Sequence, residues 1–294
     1  MRSRGGLLAQ PNPEERAEHP APSVSSRNGT LWFYADVHTI MTSSLPGGIL
    51  VPRPETEELV ELCLRDLRPY SEATAPEEQE QRGSSSSSSS SGLRVLDVGV
   101  GTGAIGLALL NARPDLHVDG IDLELAAVEL ALRNAEKLGV EARYRCLEMD
   151  VQDAAALLGT PSPLALPSAP TPTPTPTPAA NAPAAAARPL YDMVVSNPPY
   201  IPERDAAIMQ PEVLLYEKDT ALFSGALGMD CIEVLLTVAP RLLASGGSLW
   251  LEIDPSQPSL IEQAVSAAEG VPLTYIAAHK DFRGLDRFVH LIKK

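Results

Sequence analysis

Arg94-Val95-Leu96-Asp97-Val98-Gly99-Val100-Gly101-Thr102-Gly103-Ala104-Ile105-Gly106 runs from an apolar strand at 94–98, through a glycine turn, into a helix that continues to residue 112. A glycine turn joining strand to helix is where an open α/β sheet holds a nucleoside-bearing cofactor, because the backbone can approach the ligand closely there. Gly101, Gly103 and Gly106 fit the dinucleotide spacing. Asp122 follows at roughly 20 residues, where a carboxylate accepts ribose hydroxyls. A nicotinamide enzyme and a methyltransferase both use this arrangement. Asp97 tilts the choice, since an anion at the mouth of the loop repels pyrophosphate and attracts the ammonium and sulfonium of S-adenosylmethionine.

A second stretch, Asp192-Met193-Val194-Val195-Ser196-Asn197-Pro198-Pro199-Tyr200, places a stiff polar loop after another apolar strand. Two consecutive prolines fix φ near −65° and give up two N–H donors. The loop therefore offers carbonyl oxygens, an Asn amide and a Tyr ring, which suits a flat, neutral NH2 group. An amide nitrogen is a poor nucleophile because its lone pair is delocalised. The Asn197 side-chain oxygen and the Pro198 carbonyl, accepting both N–H bonds, favour a pyramidal nitrogen and aim its lone pair at the methyl, so placement does most of the work. Asp150, after a strand at 142–147, is placed to meet an adenine amine. Together the two loops read as a methyltransferase acting on an amide or an exocyclic amine.

Working outward, helices are expected from Pro52, where proline and acids occupy the first turn, and at 125–138, around 231–243 and at 259–268. Leu59, Leu62, Cys63 and Leu67 form an apolar stripe on the first. Strands are expected at 31–34, 116–122, 248–253, 273–278 and 288–292. Their alternation with helices predicts a doubly wound, mostly parallel sheet. Asp281-Phe282-Arg283-Gly284 is short enough for a hairpin, so one of the last two strands runs antiparallel.

Residues 1–30 lack periodicity and read as disordered. An unbroken serine run at 84–91 and a Thr-Pro alternation within 169–178 read as linker-like insertions, because neither can bury a core. The 28 prolines and 4% aromatic content are consistent with such segments being loops. The net charge of −15 weighs against a nucleic acid as the main partner. Cys63, Cys146 and Cys231 are widely spaced without a Cys-x-x-Cys, which fits a reducing compartment and suggests no metal site. No apolar run approaches the roughly 20 residues that span a bilayer. His38, His279 and His290 lack a partner pattern, and Arg287 is expected to pair with an acid.

These residues resemble the glutamine methyltransferases of peptide chain release factors, the HemK type. The resemblance rests on Val51-Pro52-Arg53-Pro54-Glu55-Thr56-Glu57, on 97–106, on Val195-Ser196-Asn197-Pro198-Pro199-Tyr200-Ile201, and on Tyr216-Glu217 followed by Thr220-Ala221-Leu222. It implies a class I, Rossmann-like methyltransferase with a seven-stranded sheet at 31–294, interrupted by insertions at 71–92 and 160–189. It further implies methylation of the glutamine amide in a Gly-Gly-Gln segment, with S-adenosylmethionine as donor. By carry-over, Asp97, Gly99, Val100, Gly101, Thr102, Gly103, Asp122, Asp150, Val151 and Asn197 hold the donor. Asn197, Pro198, Pro199 and Tyr200 hold the glutamine, with Asn197, Pro198 and Tyr200 acting on it. The helical bundle usual at the N-terminus of the family is expected to be absent or reduced to residues 1–30. Val151 stands where relatives often carry an aromatic, so adenine stacking is expected to be weaker. The expected partner is a release factor, the expected state a monomer, and the expected location the mitochondrion, with the cytoplasm as alternative. An adenine methyltransferase acting on nucleic acid and a non-catalytic binding protein remain as alternatives. Replacing 84–91 or 169–178 by a short Gly-Ser linker is expected to leave the melting temperature and donor affinity nearly unchanged; a large fall in a thermal melt would show that the segment packs.

Overall fold

The strand Leu93–Val98 (β1) is buried at every position. Such a run is what a parallel strand covered on both faces requires. In the computed structural model, which describes residues 49, 52–67, 92–158, 190–208, 219–268 and 272–294, β1 lies near the middle of a seven-stranded sheet. The expected strand at 31–34, residues 1–30, the serine run, the Thr-Pro segment and Tyr216-Glu217 fall outside the described residues.

The chain enters through helix α1 (Pro54–Asp66), with Pro54 at its start and Glu55 and Glu57 in its first turn. After β1 follow α2 (Ala104–Ala112), β2 (Leu116–Asp122), α3 (Leu125–Leu138), β3 (Tyr144–Glu148) and β4 (Tyr191–Ser196). Then come α4 (Asp230–Leu242), β5 (Leu243–Glu252), α5 (Pro258–Ala267), β6 (Leu273–Lys280) and β7 (Asp286–Lys293). The strand order is β3-β2-β1-β4-β5-β7-β6. The first five are parallel, and β7 inserts antiparallel between β5 and β6. The doubly wound, mostly parallel sheet with one antiparallel C-terminal strand is thus as expected.

Period-two alternation sorts side chains into two cores. Val95, Met193, Val195 and Trp250 meet Leu59, Cys63, Leu107 and Ala131 from α1, α2 and α3. Leu96, Val194, Leu249 and Leu251 meet Ile232, Leu235, Ile261 and Val265 from α4 and α5. Trp250 also donates its Nε1–H to Asp66 at 3.0 Å, and its ring stacks on His290 with centroids 4.2 Å apart. These contacts seat the end of α1 on the sheet.

Several boundaries differ from expectation. α1 begins at Pro54, two residues after the expected Pro52. β3 starts at Tyr144 because Glu141–Arg143 forms a turn of 3-10 helix first. β5 starts at Leu243, and the Gly246-Gly247 pair lies inside it as an irregularity: Tyr191 pairs with Leu243, but Met193 with Ser248.

Where α2 crosses β1, Gly106 is closely crowded. A Cβ there would lie 3.0 Å from both Asp97 Oδ2 and Val118 Cγ1. Gly106→Ala gains about 1 kcal/mol of helix propensity, yet overpacking costs roughly 1–3 kcal/mol. Net destabilisation in urea unfolding is expected; an unchanged or raised midpoint would show that the neighbours yield freely.

Candidate active site

β1 and β4 run side by side, with Val98 opposite Ser196, although the chain visits β2 and β3 between them. The Ser196 hydroxyl donates to the Val98 carbonyl at 2.7 Å, tying the two strand ends together. The glycine loop leaves β1 and the Asn-Pro-Pro-Tyr loop leaves β4 at this point. It is the carboxyl-edge switch point at which open sheets bind ligands.

Between the loops lies a cavity of about 260 Å³. Of the residues singled out from sequence, Gly99, Val100, Gly101, Thr102, Asp122, Asp150, Val151, Asn197 and Pro199 line it. Asp97, Gly103, Pro198 and Tyr200 do not. Gly99 and Gly101 adopt φ of 72° and 52°, conformations that glycine tolerates best. The loop is held from below: the Gly99 N–H donates to the Ile121 carbonyl at 2.9 Å, and Asn134 Nδ2 to the Thr102 carbonyl at 2.9 Å. Asn134 is fully buried on the otherwise apolar stripe of α3. A polar residue in that stripe was the available signal for it.

Asp97 corrects the sequence reading. Period-two alternation turns it to the same side as Val95, beneath α2, so it is wholly buried rather than at the mouth of the loop. Its Oδ2 accepts the Gly106 N–H at 2.9 Å, while Oδ1 is buried without a partner. Burial pushes its pKa up to about 7, with nearby Asp122 adding to the rise and the Gly106 bond opposing it.

Asp122 stands at the end of β2, accepting the Gly101 N–H at 3.0 Å and the Glu124 N–H at 2.9 Å. Burial raises its pKa against those bonds. Asp150 accepts the Gln152 N–H at 2.8 Å, the geometry of a turn cap, while also facing the cavity. Ile121, Leu123, Ala127 and Met149 supply apolar wall that the sequence did not reveal. Cys231 lines it too, but burial raises its thiol to about 11, so it stays protonated at neutral pH. Glycine backbone open to the cavity, carboxylate acceptors at a strand end and apolar walls fit a nucleoside.

The second loop is braced by Thr56, Glu252 and Gln257, residues whose part in it no local pattern reveals. Asn197 Nδ2 donates to Thr56 Oγ1 at 3.2 Å, and Thr56 donates in turn to Glu252 Oε2 at 2.8 Å. The Tyr200 hydroxyl donates to Glu252 Oε1 at 3.1 Å. Gln257 Nε2 donates to the Tyr200 carbonyl at 2.9 Å. Glu252 is 1% exposed, and burial raises its pKa to about 7 despite the two hydroxyl donors and Arg287. Arg287 itself lies 3.5 Å from Asp281, as expected for an arginine paired with an acid.

Residues 86–157 match the methyltransferase small domain family model. The MTRF1L release factor glutamine methyltransferase of Homo sapiens is 35% identical over 243 residues, which cover 83% of this chain and 60% of that protein. The chain therefore spans less than two thirds of that relative. The release factor glutamine methyltransferase of Bordetella pertussis is 31% identical over 244 residues, covering 83% of this chain and 70% of that protein. A solved O-methyltransferase from Bacillus cereus, in complex with SAH, shares the fold at a TM-score of 0.50 and 9% identity, over 92% of this chain and 94% of that one.

An Asp whose folded pKa lies above its unfolded value stabilises the fold most while protonated, and that contribution is lost as pH rises through the folded pKa. Asp97 moves from 3.8 to about 7. The stability of the wild type relative to Asp97→Asn should therefore fall, by on the order of a few kcal/mol, as pH rises from about 4 to about 8. Urea unfolding across that range measures it. A difference that does not vary with pH would contradict the raised carboxyl.

Proposed function

Because the chain belongs to the release factor glutamine methyltransferase family, we propose that it methylates the side-chain amide of the glutamine in a Gly-Gly-Gln segment of a peptide chain release factor, with S-adenosylmethionine as donor. The observation that carries this reading is Asn197. Its Nδ2 is spent on Thr56, which leaves Oδ1 as an acceptor beside the glycine-loop cavity.

In this reading Asp122 accepts ribose hydroxyls, Asp150 accepts from the adenine amine, and Leu123, Met149 and Val151 flank the base. The loop 99–103 allows close backbone approach, and buried Asp97 holds it in place through Gly106. When bound, S-adenosylmethionine supplies an electrophilic methyl group on a sulfonium. Asn197 Oδ1 and the Pro198 carbonyl accept the two N–H bonds of the glutamine amide, which favours a nitrogen with its lone pair free for attack. An amide nitrogen carrying the added methyl and both protons would be strongly acidic and would give one proton to water, so no side chain has to act as base. Pro198 and Pro199 keep this frame stiff, and Tyr200, anchored to Glu252, walls the acceptor side. Orientation and electrostatic placement supply the rate.

The acidic balance of the chain favours a protein acceptor over a polyanion. The proposal further takes one methyltransferase domain at 31–294 with insertions at 71–92 and 160–189, a monomer, and a mitochondrial location suggested by the Pro-Arg-Pro-Glu-Thr-Glu motif. Among the described residues no helix is long and apolar enough to cross a membrane.

Asp122→Ala should weaken donor binding by on the order of 1.5–3 kcal/mol, the worth of hydrogen bonds to a charged group, as read by calorimetry. Asn197→Ala should abolish methyl transfer with the fold intact. A folded release factor should exceed a short Gly-Gly-Gln peptide as acceptor, because remote binding energy orients the nucleophile. Mass spectrometry of release factor, DNA and RNA after incubation with donor decides the substrate. Methylated adenine beside unmodified release-factor glutamine would replace this reading with the nucleic-acid one.

A further inference from the structure

We propose that Glu252 and Thr56 are positioning residues that fix which way round the Asn197 amide sits, and thereby select an NH2-bearing acceptor. The proposal rests on the reading above for the identity of that acceptor, but its geometry stands on four side chains from three distant parts of the chain.

An ionised carboxylate can only accept, a hydroxyl has one proton to give and lone pairs to receive, and an amide has a donating end and an accepting end. The Thr56 hydroxyl lies 2.8 Å from Glu252 Oε2. With its single proton committed there, it turns a lone pair toward Asn197 at 3.2 Å, and only the NH2 end of the amide can satisfy it. An asparagine amide is otherwise nearly symmetric in shape and can flip. Here the carboxylate at the far end of the relay sets its polarity, and the accepting oxygen is left for the ligand.

The second oxygen of Glu252 does the same for the other end of the loop. It receives the Tyr200 hydroxyl at 3.1 Å, while Gln257 holds the Tyr200 carbonyl at 2.9 Å. One buried carboxylate thus orients both polar ends of Asn-Pro-Pro-Tyr. Were the Asn197 amide reversed, its NH2 would face the NH2 of the acceptor, two donors without an acceptor between them.

This also assigns a part to the Thr of Pro-Arg-Pro-Glu-Thr-Glu. α1 begins at Pro54, so Thr56 lies in its first turn, 3% exposed, where it bridges to the end of β5. The neutral isostere Glu252→Gln brings its own NH2, which can donate to Thr56 and turn the hydroxyl proton toward Asn197. That reverses the relay at almost constant volume.

The experiment uses the full chain at about pH 8, where Glu252, with a pKa of about 7, is ionised. Single-turnover transfer to the release factor is compared for wild type, Glu252→Gln, Thr56→Val and Thr56→Ser, alongside donor affinity and thermal melts. Glu252→Gln and Thr56→Val should each lose about thirtyfold or more in rate while donor affinity stays within about threefold. Thr56→Ser, which restores the hydroxyl, should recover at least about tenfold over Thr56→Val. Rates within about threefold of wild type for folded Glu252→Gln, or no recovery with Thr56→Ser, would overturn the relay. Should Glu252→Gln fail to fold, the Val and Ser pair decides. Hydrogen exchange of the Asn197 side-chain NH2, observed with 15N-asparagine and identified by its absence in Asn197→Asp, should be slow in wild type and Thr56→Ser and fast in Thr56→Val. Equal exchange in wild type and Thr56→Val would also overturn it. If the wild type yields no methylglutamine, the proposed function fails, and the exchange measurement still judges the relay.

Discussion

The parallel pairing of β1 with β4 is the constraint on which the site depends. Had the chain laid β4 beside β3 in sequence order, the glycine loop and the proline loop would stand with two strands between them, roughly 14 Å apart at the usual spacing. Reversal of the strand order brings them together instead, and Ser196 locks the two ends through the Val98 carbonyl. Flanked on both edges by β2 and β4 and covered on both faces by the two cores, β1 accepts six buried residues in succession.

Much of this was legible because its signals are local. Three glycines of positive φ, Gly99, Gly101 and Gly103, sit where an L side chain would be strained, so the loop could be read from residue type alone. Gly139 ends α3 in the left-handed conformation for the same reason. The early start of β5 was hidden because a glycine pair ordinarily marks a turn. Here Gly246 and Gly247 accommodate an irregular stretch in the ladder, which depends on what β4 offers rather than on the glycines themselves.

The polar bracing of the second loop was not legible, because its partners lie far apart in sequence. Thr56 and Glu252 are separated by 196 residues, and Asn197 and Thr56 by 141. Sequence could quote the threonine in its motif but not the glutamate it meets. Asp97 and Glu252 make an informative pair. Both are buried carboxylates raised to about 7, yet Asp97 has one donor and an oxygen with no partner, whereas Glu252 has a donor for each oxygen. Burial outweighs one charged hydrogen bond and two alike, since each returns only about 1.5–3 kcal/mol against several for removing the charge from water.

Trp250 has a consequence of another kind. Its indole is hydrogen-bonded to Asp66 at the last turn of α1, and Thr56 occupies the first turn of that helix. Burial lowers the pKa of the imidazole stacked on that indole, His290, against the pull of Asp66. Seating of α1 is therefore written into the emission of an indole placed at its far end. With Trp32 replaced by phenylalanine, the protein carries a single tryptophan, which can be excited selectively over the seven tyrosines. Its spectrum then follows the docking of the helix that braces the Asn-Pro-Pro-Tyr loop, observed by light from a point outside the cavity and without any ligand being labelled.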